Sequence, residues 1–258
     1  MQHSTGALLA ILLAIALAAC FGDESDPDAF DAGSVEGFPA GSDTATGTVI
    51  DWSDFIRFGG VSYVRTPAEL AEDDLGSQLG TVQFRVSGNV SDPAYRAKDG
   101  DAAFLEVGTP VYTVRGYVPT FRLAARRDGR LRLYEADANP AATRGVDLLD
   151  IGGRVTKIGI NSAVDGTTRL AAIDDPEEVA ALVQLVLDAP VDHGTRSADG
   201  TRYFVAFDLD DGTAVVRAYW PGSGELHRGI MLPPEFAAMV EHALTAAPDA
   251  DQRSTTSD

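Results

Sequence analysis

Arg122, Arg126, Arg130 and Arg132 crowd into eleven residues, with Tyr134 close behind. Guanidinium forks match phosphate and carboxylate, so four of them on one face would grip an anionic partner. Whether they share a face depends on the turn at Asp128-Gly129 inside Phe121–Glu135. A two-residue loop there pairs Arg126 with Leu131 and mixes apolar with charged side chains. A three-residue loop, Arg127-Asp128-Gly129, sorts them. Leu123, Ala125, Leu131 and Leu133 then face a core, while Arg122, Arg126, Arg130, Arg132 and Tyr134 face away. Arg126 and Arg130 become direct neighbours, and like charges so placed weaken a sheet unless something anionic intervenes. Two sources of that charge are open. Acids from neighbouring strands can supply it, or the face is a ligand-binding surface for a lipid headgroup, an anionic polymer or an acidic protein patch.

Other chemistry-bearing residues are sparse. His193, His227 and His242 have no Ser, Cys or second His at ligand spacing, and neither a zincin motif nor a nucleophile elbow occurs. Asp208-Leu209-Asp210-Asp211-Gly212 lacks the alternating oxygens and distal Glu of a calcium loop and reads as a hairpin turn. No catalytic residue, metal or cofactor is therefore expected from local motifs. A catalytic group assembled in space leaves no such signature. Tyr219-Trp220 closes a strand and reads as core or subdomain-seam packing, with a stacking platform for a sugar or peptide as the alternative.

The chain has a single cysteine, Cys20. It ends an apolar run, Gly6 to Ala19, that is too short to span a bilayer comfortably and reads as the h-region of a signal peptide. Leu17-Ala18-Ala19-Cys20 resembles the lipobox of bacterial lipoprotein precursors, although the segment before the apolar run carries no Lys or Arg. That resemblance implies cleavage before Cys20 and a diacylglycerol thioether on its sulfur. Two or more acyl chains on one residue anchor stably where one is marginal. With Cys20 so used, no disulfide, thiol nucleophile or thiolate metal site is left.

The net charge of −19 is unevenly spread. Phe21 to Thr48 holds seven acids and no base among Gly, Ser, Thr and Pro, a composition expected to form a disordered tether. The polar tail 248–258 is expected to be similar. Val49 to Ala247 still carries 29 acids against 19 bases, which argues against nucleic acid as a partner.

The elements expected to position these residues fall into two groups. From 49 to 138 turn signals and alternation dominate, giving a β-rich subdomain of antiparallel hairpins. One hairpin turns at Gly59-Gly60, pairing Phe58 with Val61 and Ile56 with Tyr63. Short strands are expected at Val82–Val86, Ala103–Val107 and Val111–Val114. Residues 139–147 read as a connection. From 148 to 247 the pattern is strand, strand, helix, strand, strand, helix, so the fold class expected is α+β with a ββαββα second subdomain. Asp175-Pro176-Glu177-Glu178 starts the first helix with a cap, a first-turn Pro and an acid at the third position. Val179, Leu182, Val183 and Val186 follow at helical spacing. Asp99-Gly100-Asp101, the run from Glu106 to Tyr112 and the run from Asp147 to Gly153 resemble exported bacterial lipoproteins of unassigned activity, a likeness that assigns no residue a role.

These readings imply a protein held by lipid on Cys20 at the extracytoplasmic face of the cell membrane. It is expected to be a non-catalytic binding or accessory module of the envelope, with an anionic envelope component or a protein as partner. Two alternatives stand beside it. A concave acidic pocket around His227 would favour an envelope hydrolase, and an exposed apolar patch an inhibitor-like decoy.

Overall fold

The computed structural model describes residues 51–194 and 200–247. The expected signal segment 1–19, Cys20, the tether 20–48 and the tail 248–258 lie outside the described residues.

Strands β1 (Phe55–Phe58) and β2 (Val61–Glu69) form the expected hairpin, with Phe58 opposite Val61 and Ile56 opposite Tyr63. Ile56, Val61 and Tyr63 are buried, and Phe58 packs on the same cluster. Arg57 and Ser62 take the other face, where the Arg57 Nη1 donates to the Ser62 Oγ at 2.8 Å. The chain continues through β3 (Leu75–Thr81), β4 (Phe84–Arg85), β5 (Asp101–Ala102), β6 (Pro110–Val114), β7 (Arg122–Arg127) and β8 (Arg130–Ala138). These eight strands make one curled sheet in the order β3-β6-β7-β8-β2-β1-β5-β4. Its inner face encloses Ile56, Leu105, Val111, Leu123, Tyr134 and Ala136.

A second sheet is built from β9 (Val155–Asn161), β10 (Arg169–Ile173), β11 (Tyr203–Leu209), β12 (Ala214–Trp220), β13 (Glu225–Leu226) and β14 (Ile230–Met231), in the order β10-β9-β11-β12-β13-β14. Helix α1 (Pro176–Asp188) follows β10, and α2 (Pro234–Ala246) follows β14. Asp175 caps α1 as expected, its Oδ1 accepting from the Glu177 and Glu178 amides at 3.0 Å. That satisfies two of the amides a helix N-terminus leaves without partners. Val179, Leu182, Val183 and Val186 are all buried against the second sheet's core. On α2, Phe236 and Val240 are buried while Met239, Ala243 and Leu244 pack partly exposed against the same core. The Tyr219 ring meets Phe236 edge-on at 5.2 Å, as core packing requires.

The expected α+β class with a ββαββα subdomain is corrected by this architecture. The described residues are mostly β, 40% strand against 17% helix, in a large curled sheet plus a six-stranded one. Three physical reasons account for the difference. The two-residue strands β13 and β14 are too short to show alternation, yet they extend the second sheet. Leu75–Thr81 is glycine-containing and lacks a β-branched run, and it becomes a strand through its partner β6. The pairing of β2 with β8 joins what read as separate hairpins into one sheet. Among the shorter expectations, Val82–Val86 contracts to Phe84–Arg85, and the strand expected at Ala103–Val107 lies instead at Asp101–Ala102.

Candidate ligand cleft and the charged seam

The β7–β8 hairpin closes with the two-residue loop Asp128-Gly129, at φ 53° and 73°. Both values lie in the left-handed region that a two-residue hairpin turn demands. The three-residue loop is thereby corrected, and with it the single arginine face. Arg122 opposes Glu135, Arg126 opposes Leu131, and Arg127 opposes Arg130. Arg122 and Arg126 therefore stand on one face of the hairpin, Arg130, Arg132 and Tyr134 on the other. The mixing of side chains is tolerated because both faces are covered. Leu123, Ala125 and Tyr134 join the inner core, while Ala124 and Leu133 join Val114 in a separate cluster.

Acids supply the counter-charges. Arg126 is ion-paired with Glu72, and Arg130 reaches Glu69 at 3.7 Å. Arg132 sits opposite Glu69 in the β2–β8 register. Tyr134, fully buried, donates to the Asp54 Oδ1 at 3.2 Å, and burial lifts its hydroxyl well above the ordinary tyrosine range. Asp54 also receives Arg127 at 2.7 Å and Arg65 at 3.2 Å.

Arg122 has a role that composition did not reveal. Its side chain is 1% exposed and lies at the seam between the two sheets. The Nε and Nη2 donate to the Glu135 Oε1 at 3.2 and 2.7 Å. The Nη1 reaches the Asp211 Oδ2 at 3.2 Å, and the Nη2 the Thr213 Oγ1 at 3.0 Å, both in the β11–β12 turn. From β12, the Arg217 Nη1 donates to the other Glu135 oxygen at 3.4 Å and its Nη2 to the Ala136 carbonyl at 3.1 Å. The guanidinium lies over the Tyr117 ring, 4.3 Å from its centroid. Tyr117 donates to Asp211 at 2.5 Å, and burial together with this bond pushes its hydroxyl up to about 12. Burial alone would raise the Asp211 carboxyl, but bonds from Tyr117 and Thr213 outweigh it and hold it below its usual value. In a buried ion pair of this kind the cost of taking both charges out of water offsets much of their attraction. The segment 208–212, read as a hairpin turn, does turn between β11 and β12, and its Asp211 docks at the seam.

A cleft of about 520 Å³ opens elsewhere along the seam, in the range of small-molecule sites. Its walls are the end of β8 with Asn139 and Pro140, the stretch Asp192–Gly194 after α1, and the β13–β14 hairpin with Glu225, His227 and Arg228. Asp137 anchors it. The His227 Nε2 donates to the Asp137 Oδ1 at 2.9 Å, and Arg228 is ion-paired with the other oxygen. Burial would raise the Asp137 carboxyl, yet hydrogen bonds and charge from His227 and Arg228 lower it to about 2. The loop that presents both side chains is tightly made. Arg228 has φ 68°, and the carbonyl of Gly229, at φ 81°, accepts from the Asp192 amide at 2.8 Å. A β-carbon on Gly229 would fall 2.0 Å from the Asp192 carbonyl oxygen, so only glycine fits.

Tautomers follow from the partners. The ionised Asp137 carboxylate can only accept, so the His227 Nε2 carries the proton and a neutral ring keeps Nδ1 as an acceptor. The His193 Nε2 lies 2.7 Å from the Ala142 carbonyl, also an acceptor, and the same assignment holds there. The Glu225 side chain accepts no hydrogen bond from any described residue. In neutral rings the two Nδ1 atoms, with the Glu225 carboxylate, can accept hydrogen bonds, and Arg228 adds a guanidinium donor to the lining. His242 lies apart, exposed on α2. No three His, Cys, Asp or Glu side chains among the described residues are placed to hold a metal ion.

No protein-family model, curated protein or solved structure matches this chain.

Proposed function

We propose that the chain is an exported protein, fixed by lipid on Cys20 to the extracytoplasmic face of the cell membrane. Its folded part is read as a non-catalytic binding or accessory module of the envelope. The lipobox-like Leu17-Ala18-Ala19-Cys20 supports the address. The binding reading moves from the arginine hairpin, whose cations meet the chain's own acids, to the cleft. Its carrying observation is the pair of histidines whose Nε2 protons are committed to Asp137 and Ala142. Acceptors then predominate, which suits a polar ligand rich in N–H or O–H donors. Titrating a panel of amines, guanidines and polyols while following the imidazole nitrogens by NMR tests this. A class that binds should move His193 and His227 together, and His227→Ala should remove the response. Resonances unmoved across the panel would overturn the assignment of the cleft.

A second reading draws on one specific observation. His227 stands in a concave surround with Asp137, Glu225 and Asp192, the arrangement a hydrolase would need. Asp137 would orient the ring, and the Nδ1 would take a proton from an attacking water. Against it, Arg228 shares the orienting carboxylate, and the described residues lining the cleft include no hydroxyl or thiol nucleophile. Turnover of ester, amide or glycoside model substrates that is lost in His227→Ala would select the hydrolase over the binder.

A further inference from the structure

Two side chains of the β13–β14 hairpin bring formal charge to the cleft, Glu225 and Arg228, and only one of them is neutralised. Arg228 is ion-paired with Asp137, whose carboxyl, held at about 2, keeps its charge at neutral pH. On the opposite wall Asp192 is engaged within its own loop, its Oδ1 accepting the Gly194 amide at 2.8 Å. Glu225 is different. It is half-buried in the lining, and among the described residues no hydrogen bond or ion pair reaches its side chain. A carboxylate partly withdrawn from water without a partner carries a cost that an arriving cation relieves. The histidines do not supply that cation while their rings are neutral. With Nε2 committed to Ala142 and Asp137, each presents Nδ1 as a further acceptor.

We propose that the cleft takes a small organic monocation bearing N–H donors, an ammonium or a guanidinium, with Glu225 as its counter-ion and the two Nδ1 atoms as further acceptors. The inference rests on the reading of the cleft as a binding site and adds the ligand's charge to it. An anionic ligand would meet Glu225 and find Arg228 already held by Asp137. A neutral polyol would leave the Glu225 charge unanswered. The grip is acid-sensitive, because proton and ligand compete for the same nitrogens. His227 faces Asp137 at the end of β8, Glu225 and Arg228 on its own hairpin, and Asp192 and His193 after α1. His193 faces the same groups from the other wall, with the Ala142 carbonyl behind it. Protonating either ring turns its Nδ1 from acceptor to donor and sets a positive charge beside the bound cation. The ligand is therefore held at neutral pH and released in acid.

Titrating the full chain in detergent with n-butylammonium, n-butylguanidinium, n-butyltrimethylammonium and glycerol, while the imidazole nitrogens are followed by NMR, tests it. At about pH 8 the first two should move the His193 and His227 resonances together, whereas the trimethyl cation, without N–H, and uncharged glycerol should not. Glu225→Gln keeps an acceptor oxygen and removes the charge. It should weaken the N–H cations on the order of tenfold, about 1.4 kcal/mol, with circular dichroism unchanged. Lowering the pH of the wild type from about 8 to about 5 should weaken them on the order of tenfold as well. Glycerol or n-butyltrimethylammonium acting as strongly as n-butylammonium would overturn the inferred charge and donors while leaving the cleft a binding site. So would an affinity for the N–H cations indifferent to both Glu225→Gln and acid. Histidines unmoved by every probe would overturn this inference and the binding reading together.

Discussion

Glu135→Leu probes the seam most sharply. Arg122 and Glu135 are 1% and 5% exposed, so neither can turn to water when the other is removed. The substitution takes two hydrogen bonds from Arg122 and one from Arg217. It leaves Arg122 with Asp211 at 3.2 Å, a carboxylate that is one-third exposed and already shared with Tyr117. Stripping one partner from a buried ion pair costs about 3–5 kcal/mol. For a unit of this size each kcal/mol moves the melting midpoint by about 2–4 °C, so a fall on the order of 10 °C is expected. Arg122→Met together with Glu135→Leu removes both charges and fills the same space. That double variant should lie within about 1 kcal/mol of wild type, because desolvating the pair cancels most of its attraction. Urea denaturation of the wild type, the two single variants and the double variant closes the cycle and yields the coupling directly. A loss below about 1 kcal/mol in Glu135→Leu, or a double variant no better than the single one, refutes the reasoning.

Three further outcomes are expected. Leu182→Ala should cost about 2–5 kcal/mol in urea denaturation, since Leu182 is fully buried between α1 and the second sheet, and a loss under about 0.5 kcal/mol would mean the wrong helix face. Asp137, at about 2 when folded against 3.8 ordinarily, contributes at most about 2 kcal/mol that is complete above pH 4 and lost as pH falls from about 4 towards 2. Asp137→Asn should flatten stability across that window, and an unchanged acid slope would show that the clamp on this carboxylate is absent. Gly229→Ala must displace the Asp192 carbonyl and hold an unfavourable φ, so it should lower stability by about 1–3 kcal/mol and disturb the His193 and His227 resonances together; an unperturbed variant would show that this loop does not shape the cleft.

Much of the local structure was legible in the chain. The Gly59-Gly60 hairpin, the capped start of α1 and its four buried residues follow from alternation, turn chemistry and helical spacing. What failed was the choice of loop at Asp128-Gly129. Sorting charged from apolar side chains assumes that one face of a hairpin meets water. Here both faces are covered, so Arg122 can be buried against Glu135 and the shorter Asp-Gly turn is the one adopted. Arg122 and Glu135, on the adjacent strands β7 and β8, meet Asp211 of the β11–β12 turn and Arg217 of β12 across more than 80 residues of sequence, an outcome of sheet-on-sheet docking. The same holds for the cleft. His227 and Asp137 are 90 residues apart and meet only because β13 and β14, two residues each, fold back beside the end of β8. The one hint within the sequence was His227-Arg228-Gly229 itself, a turn-compatible triplet with two cationic or titratable groups and a glycine.

The proposed address rests on Cys20, and the mass of the mature N-terminal peptide tests it most directly. The chain should be expressed in a bacterial host, extracted from membranes and digested, and the peptide beginning at residue 20 measured. The account predicts cleavage between Ala19 and Cys20 and a cysteine carrying diacylglycerol through a thioether, with Cys20→Ser accumulating as an uncleaved, unlipidated precursor. A membrane-extracted chain with an unmodified Cys20, or one that retains residues before it, would contradict the account.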